Sequence, residues 1–177
     1  DGKIIANKIH KYRSKKPIRT SKELAFIINE AKRKKNNYKK NPATKTFQAI
    51  RIFVNKELTE LISGLIQAGK ILSDGGILIV VSFHSLEDRI VKNFFNLYSN
   101  EPKNPSRYLP TSERKNNIFK LFSKKPYMPD LNEVKQNARS RSAKLRYAIR
   151  NNNVFFSPDE FKNKFSNYLK LENNILW

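Results

Sequence analysis

The 177-residue sequence has no cysteine, only two histidines and only five glycines. Without cysteine the chain can form no disulfide and no thiolate metal site, and it has no thiol nucleophile. The two histidines, His10 and His84, are too few for a histidine-rich metal centre, so we predict no metal site. The glycines form neither a P-loop nor a G-x-G-x-x-G turn, so the chain lacks the glycine-rich loop that cofactor-dependent α/β enzymes normally carry.

Acidic residues are also scarce, with 15 Asp and Glu against 36 Lys and Arg, which gives a net charge of +21. Such an excess predicts an acidic partner such as nucleic acid, although a solvated basic surface would have the same composition. No apolar run reaches the ~20 residues that a membrane-spanning helix needs. No secretory signal peptide is visible. We therefore expect an RNA partner and no membrane association.

The chain is organised around residues 74–98. Gly75 and Gly76 precede five aliphatic residues, 77–81, which predict a strand buried on both faces. Ser85, three residues before Asp88, is a helix-start signal. An apolar stripe follows at helical spacing and consists of Ile90, Val91, Phe94, Phe95 and Tyr98. Ligands bind at the carboxyl ends of strands in open α/β sheets, so this corner is a candidate site, unless Ser85 only caps the helix.

Helical and strand patterns flank this stretch. Thr20 and Glu23 form a capping box that predicts a helix with Leu24, Ile27, Ile28 and Ala31 buried. Apolar residues recur from Phe47 to Leu72 and predict one helix, or two helices broken near Asn55. Residues 118–122 and 145–149 predict two strands that pair antiparallel at a sheet edge. Ser157 predicts the start of a last helix with a buried side of Phe161, Phe165 and Leu169.

Two basic clusters are candidate phosphate-binding sites, although a charge run is often only a solvated face. The first begins with Lys32, Arg33, Lys34 and Lys35. The second contains Arg139, Arg141, Lys144 and Arg146, interleaved with serines. A third polar segment, residues 43–51, opens a helix, where threonine hydroxyls either hold an anion or cap the helix in the ordinary way.

Three blocks, in this order and at this spacing, resemble the MraW family, the bacterial ribosomal RNA small subunit methyltransferase H family. They are PATKTFQAIRIFVNKEL at residues 42–58, Gly75-Gly76 with SFHSLEDRIVK at 82–92, and Lys125-Pro126 with NARSRSAKLR at 137–146. The resemblance covers about residues 1–150. Asn41, Lys45 and Ala138 depart from the residues that the family usually carries at those positions.

The resemblance implies an α/β fold, namely part of a Rossmann-like methyltransferase fold plus the end of an inserted helical domain. We expect residues 1–41 to end the helical insertion and 42–150 to be the C-terminal part of the methyltransferase domain. Residues 151–177 would then form a C-terminal helical extension. The family's cofactor motifs do not align, and the chain starts at Asp1 rather than Met. We therefore expect a C-terminal fragment, with S-adenosylmethionine bound mainly by the missing N-terminal part.

The activity that the resemblance implies is N4-methylation of a cytidine in the decoding region of small-subunit rRNA, in the cytoplasm. The partner is then the rRNA or the assembling small subunit, and the isolated fragment is expected to be inactive. The alternative is a non-catalytic basic RNA-binding module. Missing strands would leave an exposed apolar sheet edge, which predicts self-association as a possible homodimer.

We assign residue roles on the same basis. His84 and Ser85 are the candidate catalytic residues. Substrate-binding candidates come from the corner and from residues 44–55: Ser82, Phe83, Glu87, Asp88, Arg89, Thr44, Thr46, Gln48, Arg51 and Asn55. The candidate RNA-phosphate ligands are the eight cations of the two basic clusters named above.

Overall fold

A computed structural model describes residues 1–32, 41–99 and 117–173. The chain divides into two compact units, Asp1–Glu57 and Leu58–Trp177. In the first unit, Ala43 and Phe47 pack into the same apolar core as Ile5 and Ile28. The assignment of these parts to an insertion, a catalytic domain and an extension stays a prediction.

The first unit contains the helices α1 (Gly2–Arg13), α2 (Ser21–Lys32) and α3 (Thr44–Asn55). The capping box predicted at the start of α2 is confirmed. The Thr20 hydroxyl accepts from the Glu23 N–H at 3.2 Å, and the Glu23 carboxylate accepts from the N–H of Thr20 at 3.2 Å. Ile27 and Ile28 are buried as predicted, and Leu24 and Ala31 are partly buried against the same core.

The predicted break near Asn55 is also confirmed. Helix α3 ends at Asn55, and Lys56 adopts a left-handed conformation with φ of 51°. Helix α4 (Glu57–Ile71) then begins. Left-handed residues commonly end helices because their N–H groups turn back to satisfy the last free carbonyls. Here the Lys56 N–H donates to the Phe53 carbonyl at 3.3 Å.

The second unit is built on a three-stranded sheet of β1 (Ile77–Ser82), β2 (Phe119–Leu121) and β3 (Lys144–Arg150). The strand order is β1-β3-β2, and both pairings are antiparallel. The predicted pairing of residues 118–122 with 145–149 is therefore confirmed, and so is the mixed α/β architecture. Helix α5 (Ser85–Ser99) packs on one face of the sheet, and all five residues of its predicted stripe are buried.

The prediction that β1 is buried on both faces is wrong. Ile77, Ile79 and Val81 are 54%, 59% and 48% exposed, and the residues between them face the α5 side. A run of aliphatic residues shows that a strand can be covered on both faces, but it does not show what covers it. The buried face of β3 carries Arg146, Ala148 and Arg150.

Shorter helices complete the second unit: α6 (Leu131–Gln136), α7 (Asp159–Lys164) and α8 (Ser166–Asn173). The predicted last helix is thus two helices, with Phe161 and Phe165 buried as expected. The buried Glu172 ties α8 to the start of α4, because its carboxylate accepts from the Thr59 N–H at 2.9 Å and from the Thr59 hydroxyl at 2.6 Å. Within the described ranges, no helix is long and apolar enough to cross a membrane.

Candidate functional site at the end of strand β1

The candidate site is the connection between the end of β1 and the first turn of α5, residues 82–89, which we call the corner. Ser82 ends the strand, is buried, and donates its hydroxyl to the Lys144 carbonyl at 3.3 Å. Phe83 follows with its side chain 56% exposed, and Ser85 is exposed at the first position of α5. The corner therefore presents an aromatic ring and a hydroxyl to solvent at a helix N-terminus, where N–H groups favour polar or anionic atoms.

His84 caps the helix at this corner. Its Nδ1 accepts from the Glu87 N–H at 3.3 Å, and the Glu87 carboxylate accepts from the N–H of His84 at 3.2 Å and of Phe83 at 2.9 Å. This is a reciprocal capping box in which histidine takes the place of the usual serine or threonine. The interpretation of Ser85 as the cap is therefore wrong by one residue. The signal that could have found the true cap is the position of Glu87 three residues after His84.

The capping hydrogen bond selects the tautomer of the neutral imidazole. A nitrogen that accepts a hydrogen bond carries no proton, so the neutral His84 ring holds its proton on Nε2. This Nε2 is buried and has no hydrogen-bond partner in the part of the chain that the structure describes. It lies 3.4 Å from Glu87 Oε1. A buried N–H donor without a hydrogen-bond partner is costly, so it requires an explanation such as a bound water, a bound ion or a catalytic role.

Asp88, a candidate substrate-binding residue, instead joins α5 to β3. Its carboxylate accepts from Arg146 Nε at 2.8 Å and from Lys144 Nζ at 3.0 Å. Burial raises the pKa of Asp88, but the hydrogen bonds and charges of Arg146 and Lys144 outweigh burial, and the net pKa is lowered. No local sequence signal predicts this pairing, because 56 and 58 residues separate Lys144 and Arg146 from Asp88.

The pairing changes the interpretation of the second basic cluster. Arg146 is buried, and its Nη1 also donates to the Lys124 carbonyl at 2.8 Å, so two of its three nitrogens are committed within the protein. This placement does not fit the predicted role of Arg146 as a phosphate ligand, and Lys144 is held by Asp88. Arg139 and Arg141, by contrast, are exposed on a short turn that Asn137 stabilises by accepting the Arg139 N–H at 3.1 Å.

In the first unit, α3 brings most of its candidate residues onto one face. Thr44, Gln48, Arg51 and Asn55 recur every three or four residues, a spacing that aligns side chains along a helix. Arg51 binds Glu57 through two hydrogen bonds of 2.7 and 3.0 Å, and Asn55 also donates to Glu57. Thr46 lies on the opposite side of α3 and lines an apolar groove of about 410 Å³ with Ile5 and Ile9.

The remaining candidates are distributed as follows. Arg89 is exposed on α5. Lys32 ends α2, and its Nζ donates to the Pro42 carbonyl at 2.8 Å. Arg33, Lys34 and Lys35 lie outside the described residues. At the start of α3 the Asn41 side chain, and not a threonine hydroxyl, accepts a backbone N–H, that of Ala43 at 2.9 Å.

The sequence is similar to known proteins. Residues 2–151 match the model of the MraW methylase family. The chain is 46% identical over 157 residues to a protein of Afipia carboxidovorans named ribosomal RNA small subunit methyltransferase H, a match that covers 89% of this chain and 46% of that protein. Proteins of the same name from Ehrlichia canis and Oenococcus oeni are 48% and 46% identical, over 82% and 83% of this chain and 46% and 47% of theirs. The chain thus spans about half the length of the curated relatives that it matches.

Proposed function

Because the chain belongs to the MraW methylase family, we propose that it forms part of an enzyme that methylates small-subunit ribosomal RNA with S-adenosylmethionine. The proposed product is N4-methylcytidine in the decoding region, made in the cytoplasm on the rRNA or on the assembling subunit. The observation that carries the proposal is the family match, which covers the corner, the sheet and the exposed arginines. On this proposal the second unit belongs to a Rossmann-like catalytic domain, and residues 1–41 end an inserted helical domain.

The described residues do not fit the methyl donor. Gly75 has a φ of 76°, but its N–H donates to the Arg150 carbonyl at 2.9 Å, in the turn before β1 rather than after it. A Cβ at Gly76 would lie 2.9 Å from the Ser73 carbonyl oxygen, so this space is filled by the chain itself and not left for a ligand. We therefore propose that the part of the family fold outside this chain binds the donor, and that this chain alone is inactive.

The corner instead suits the nucleoside that receives the methyl group. A cytidine amine is a weak nucleophile because its lone pair is delocalised into the ring, so positioning is the main contribution a protein can make. The exposed Phe83 ring can stack on a base, as aromatic side chains do in single-stranded RNA recognition. We propose that the exposed Ser85 hydroxyl holds a polar atom of the nucleoside, and that the buried His84 Nε2–H reaches the nucleoside only after the corner opens on binding.

We propose structural roles for three residues of the corner and RNA contacts for residues elsewhere in the chain. Glu87 positions His84 and Phe83 through the capping box, Asp88 anchors α5 to the sheet, and Ser82 ends the strand. In the first unit, considered by itself, the helix face formed by Thr44, Gln48, Arg51 and Asn55 is proposed to contact the RNA substrate. We propose that Arg139 and Arg141 bind rRNA phosphates, because both are exposed and neither forms an ion pair with the described part of the chain.

A chimeric enzyme tests the proposal. The matched region of the Ehrlichia canis relative is replaced by this chain, and the chimera is supplied with labelled S-adenosylmethionine and small ribosomal subunits. We expect label in the rRNA, and nucleoside mass spectrometry should identify it as N4-methylcytidine. The isolated chain, assayed in parallel, should transfer none. A folded chimera that binds the donor and leaves the rRNA unlabelled, or that labels another nucleoside, would contradict the proposal.

A second candidate is a non-catalytic RNA-binding module, which the +21 net charge and the absence of a donor cradle among the described residues favour. The two functions separate in a binding experiment on the isolated chain. The module hypothesis predicts tight, salt-dependent binding to small-subunit rRNA whether or not the unmatched part of a relative is supplied. The methyltransferase proposal predicts that the unmatched part strengthens RNA binding and supplies saturable binding of S-adenosylmethionine.

A further inference from the structure

A groove runs alongside β2 in the second unit. Its volume is about 410 Å³, which is within the range of about 300–1,000 Å³ that is typical of sites for small ligands. One wall consists of the consecutive residues 119–124, and Ser99, Asn117 and Asn151 complete the lining. These residues belong neither to the corner nor to the turn at residues 139–141, so the groove is a separate candidate binding site.

The charges at the groove favour an anionic ligand. Lys120 and Lys124 both line it and are exposed, and none of the described residues that line it is acidic. Neither lysine forms an ion pair with another residue in the described ranges. Two cations without a counter-ion at one concave surface create a positive local potential, which attracts anions such as phosphate groups.

Both lysines are held in position by the fold. The Lys120 ammonium lies over the Phe122 ring, 5.5 Å from its centroid, in a cation–π contact that restrains a flexible side chain. The backbone of Lys124 is fixed, because its carbonyl accepts from Nη1 of the buried Arg146 at 2.8 Å. Groups that are ordered before binding lose less conformational entropy on binding, so these lysines suit a specific contact rather than a diffuse one.

The rest of the lining suits a nucleotide better than an inorganic anion. Phe119 and Leu121 supply apolar surface, whereas Asn117 and Asn151 carry amides, which can both donate and accept hydrogen bonds. The Asn117 carbonyl accepts from Asn151 Nδ2 at 3.2 Å and from Asn153 Nδ2 at 2.6 Å, so hydrogen bonds fix this wall. A nucleotide combines an anionic phosphate with a ribose and a base that has apolar faces and polar edges, and proteins contact each of these parts.

The position of the groove connects it with the corner. Arg146 donates from Nη1 to the Lys124 carbonyl and from Nε to Asp88 in the first turn of α5, at 2.8 Å each. One guanidinium therefore joins the Lys124 end of the groove to the corner. Strands β1 and β2 both run antiparallel to the intervening β3, so their C-terminal ends lie at the same end of the sheet, two strand spacings or roughly 10 Å apart. A single RNA strand can therefore contact both places.

We propose that the groove beside β2 binds a nucleotide of the rRNA strand that flanks the target nucleotide, with Lys120 and Lys124 at its phosphate. This subsite rests on the proposed function, in which the corner contacts the nucleoside that receives the methyl group. A second contact on the same strand sets the direction of the RNA across the sheet and distinguishes the rRNA from a free nucleoside. The groove binds RNA whether or not the methyl donor is present.

The salt dependence of RNA binding by this chain, without S-adenosylmethionine, tests the subsite. The probe is a single-stranded RNA with the sequence of small-subunit rRNA around the target cytidine. Each phosphate contact on a single strand contributes about 0.7 to the slope of log K against log salt, so Lys120→Ala with Lys124→Ala should reduce the slope by about 1.4. Lys120→Arg with Lys124→Arg keeps both charges and should retain the slope.

The control is Lys70→Ala with Lys92→Ala, which removes the same charge from exposed positions on α4 and α5 and should change the slope less. Equal changes of the slope in the two alanine double variants would overturn the proposal. Phe122→Leu keeps the apolar bulk but removes the cation–π contact, so it should weaken RNA binding about threefold.

Crosslinking locates the contact. The same RNA carrying 4-thiouridine is irradiated in complex with this chain, and mass spectrometry should find crosslinked nucleotides in residues 117–124. Crosslinks confined to other segments would overturn the proposal. Free cytidine monophosphate or polyglutamate that prevents crosslinking as well as unlabelled RNA does would also overturn it, because the groove would then select a mononucleotide or any polyanion.

The chimeric enzyme separates this subsite from the proposed function. A chimera that methylates small subunits with the same rate and salt dependence after Lys120→Ala and Lys124→Ala would overturn the subsite and leave the proposed function in place. A chimera that transfers no methyl group but still crosslinks to RNA through residues 117–124 would support the subsite and count only against the proposed function.

Discussion

The side chains of His84 and Glu87 each accept the backbone N–H of the other residue, at 3.3 and 3.2 Å, and so close the first turn of α5. A histidine in this role can be tested by substitutions that separate capping from other functions. Asparagine is a good N-cap and alanine is a poor one. We expect His84→Ala to lower the free energy of unfolding by about 1 kcal/mol. His84→Asn should lower the free energy of unfolding much less, because asparagine also caps the helix. Ser85→Ala should have little effect, and a loss equal to that of His84→Ala would show that Ser85 is the cap.

The same pair of variants tests the role of Nε2. His84→Asn preserves the cap but removes the imidazole, and the shorter amide side chain does not reach the position of the Nε2–H, which has no hydrogen-bond partner among the described residues. In the chimeric enzyme we therefore expect His84→Asn to lower kcat/KM for small subunits while its unfolding transition stays close to that of the parent. Unchanged methyl transfer by a folded His84→Asn chimera would leave His84 as a structural residue only.

Asp88 provides a pH-dependent prediction. Asp88→Asn leaves the buried Arg146 without its counter-ion, and breaking such a pair costs about 3 kcal/mol. The folded pKa of Asp88 lies below its ordinary value of 3.8, so its stabilisation is present above that value and disappears as the pH falls through the folded pKa. The stability difference between parent and variant, measured by urea unfolding, should therefore shrink below pH 3.8. The exposed Glu60→Gln serves as control, and a difference that is independent of pH would contradict the ion-pair interpretation.

Two glycines of α4 should respond oppositely to the same substitution. A Cβ at Gly69 would overlap the Phe155 ring, approaching its Cδ2 to 2.9 Å, whereas a Cβ at Gly64 meets nothing within 4 Å. We expect Gly69→Ala to lower the free energy of unfolding by about 1–3 kcal/mol, because the added methyl group overpacks the core. Gly64→Ala should stabilise by up to about 1 kcal/mol, because alanine is the better helix former. Denaturant unfolding measures both changes in stability, and a Gly69→Ala variant at least as stable as the parent would show that Phe155 moves aside.

Tyr98 carries a buried hydroxyl that has no hydrogen-bond partner in the described ranges. Burial and the nearby charges of Glu160 and Asp159 raise its pKa to about 12. Because the unfolded chain ionises near pH 10 and the folded chain does not, stability should fall between pH 10 and 12. Tyr98→Phe removes the unpaired hydroxyl, so it should be neutral or stabilising at pH 7 and should lack this part of the alkaline fall. The control variant Tyr168→Phe should still lose stability between pH 10 and 12, as the parent does.

Local patterns predicted the helices well because each depends on neighbouring residues. The Thr20–Glu23 box, the break at Asn55 and the five-residue stripe of α5 are all confirmed. The predictions that the structure does not match concern the burial of β1 and the role of Arg146, and both depend on contacts between distant parts of the chain. The exposure of Ile79 depends on what lies over the sheet, and the sequence of the strand does not contain that information. The partners of Asp88 lie on a strand more than fifty residues away, so the fold alone brings Arg146 from a predicted RNA contact to an internal ion pair.

The salt dependence of RNA binding distinguishes the exposed arginines from the chain's general positive charge. Each phosphate contact that is lost reduces the slope of log K against log salt by about one. We therefore expect the double variant Arg139→Ala with Arg141→Ala to reduce that slope by about two for small-subunit rRNA. The double variant Lys70→Ala with Lys92→Ala removes the same charge from two exposed positions on α4 and α5, and should change the slope less. Equal changes of the slope in the two variants would mean that RNA binding depends only on the net charge. The turn at residues 139–141 would then not be a phosphate-binding site.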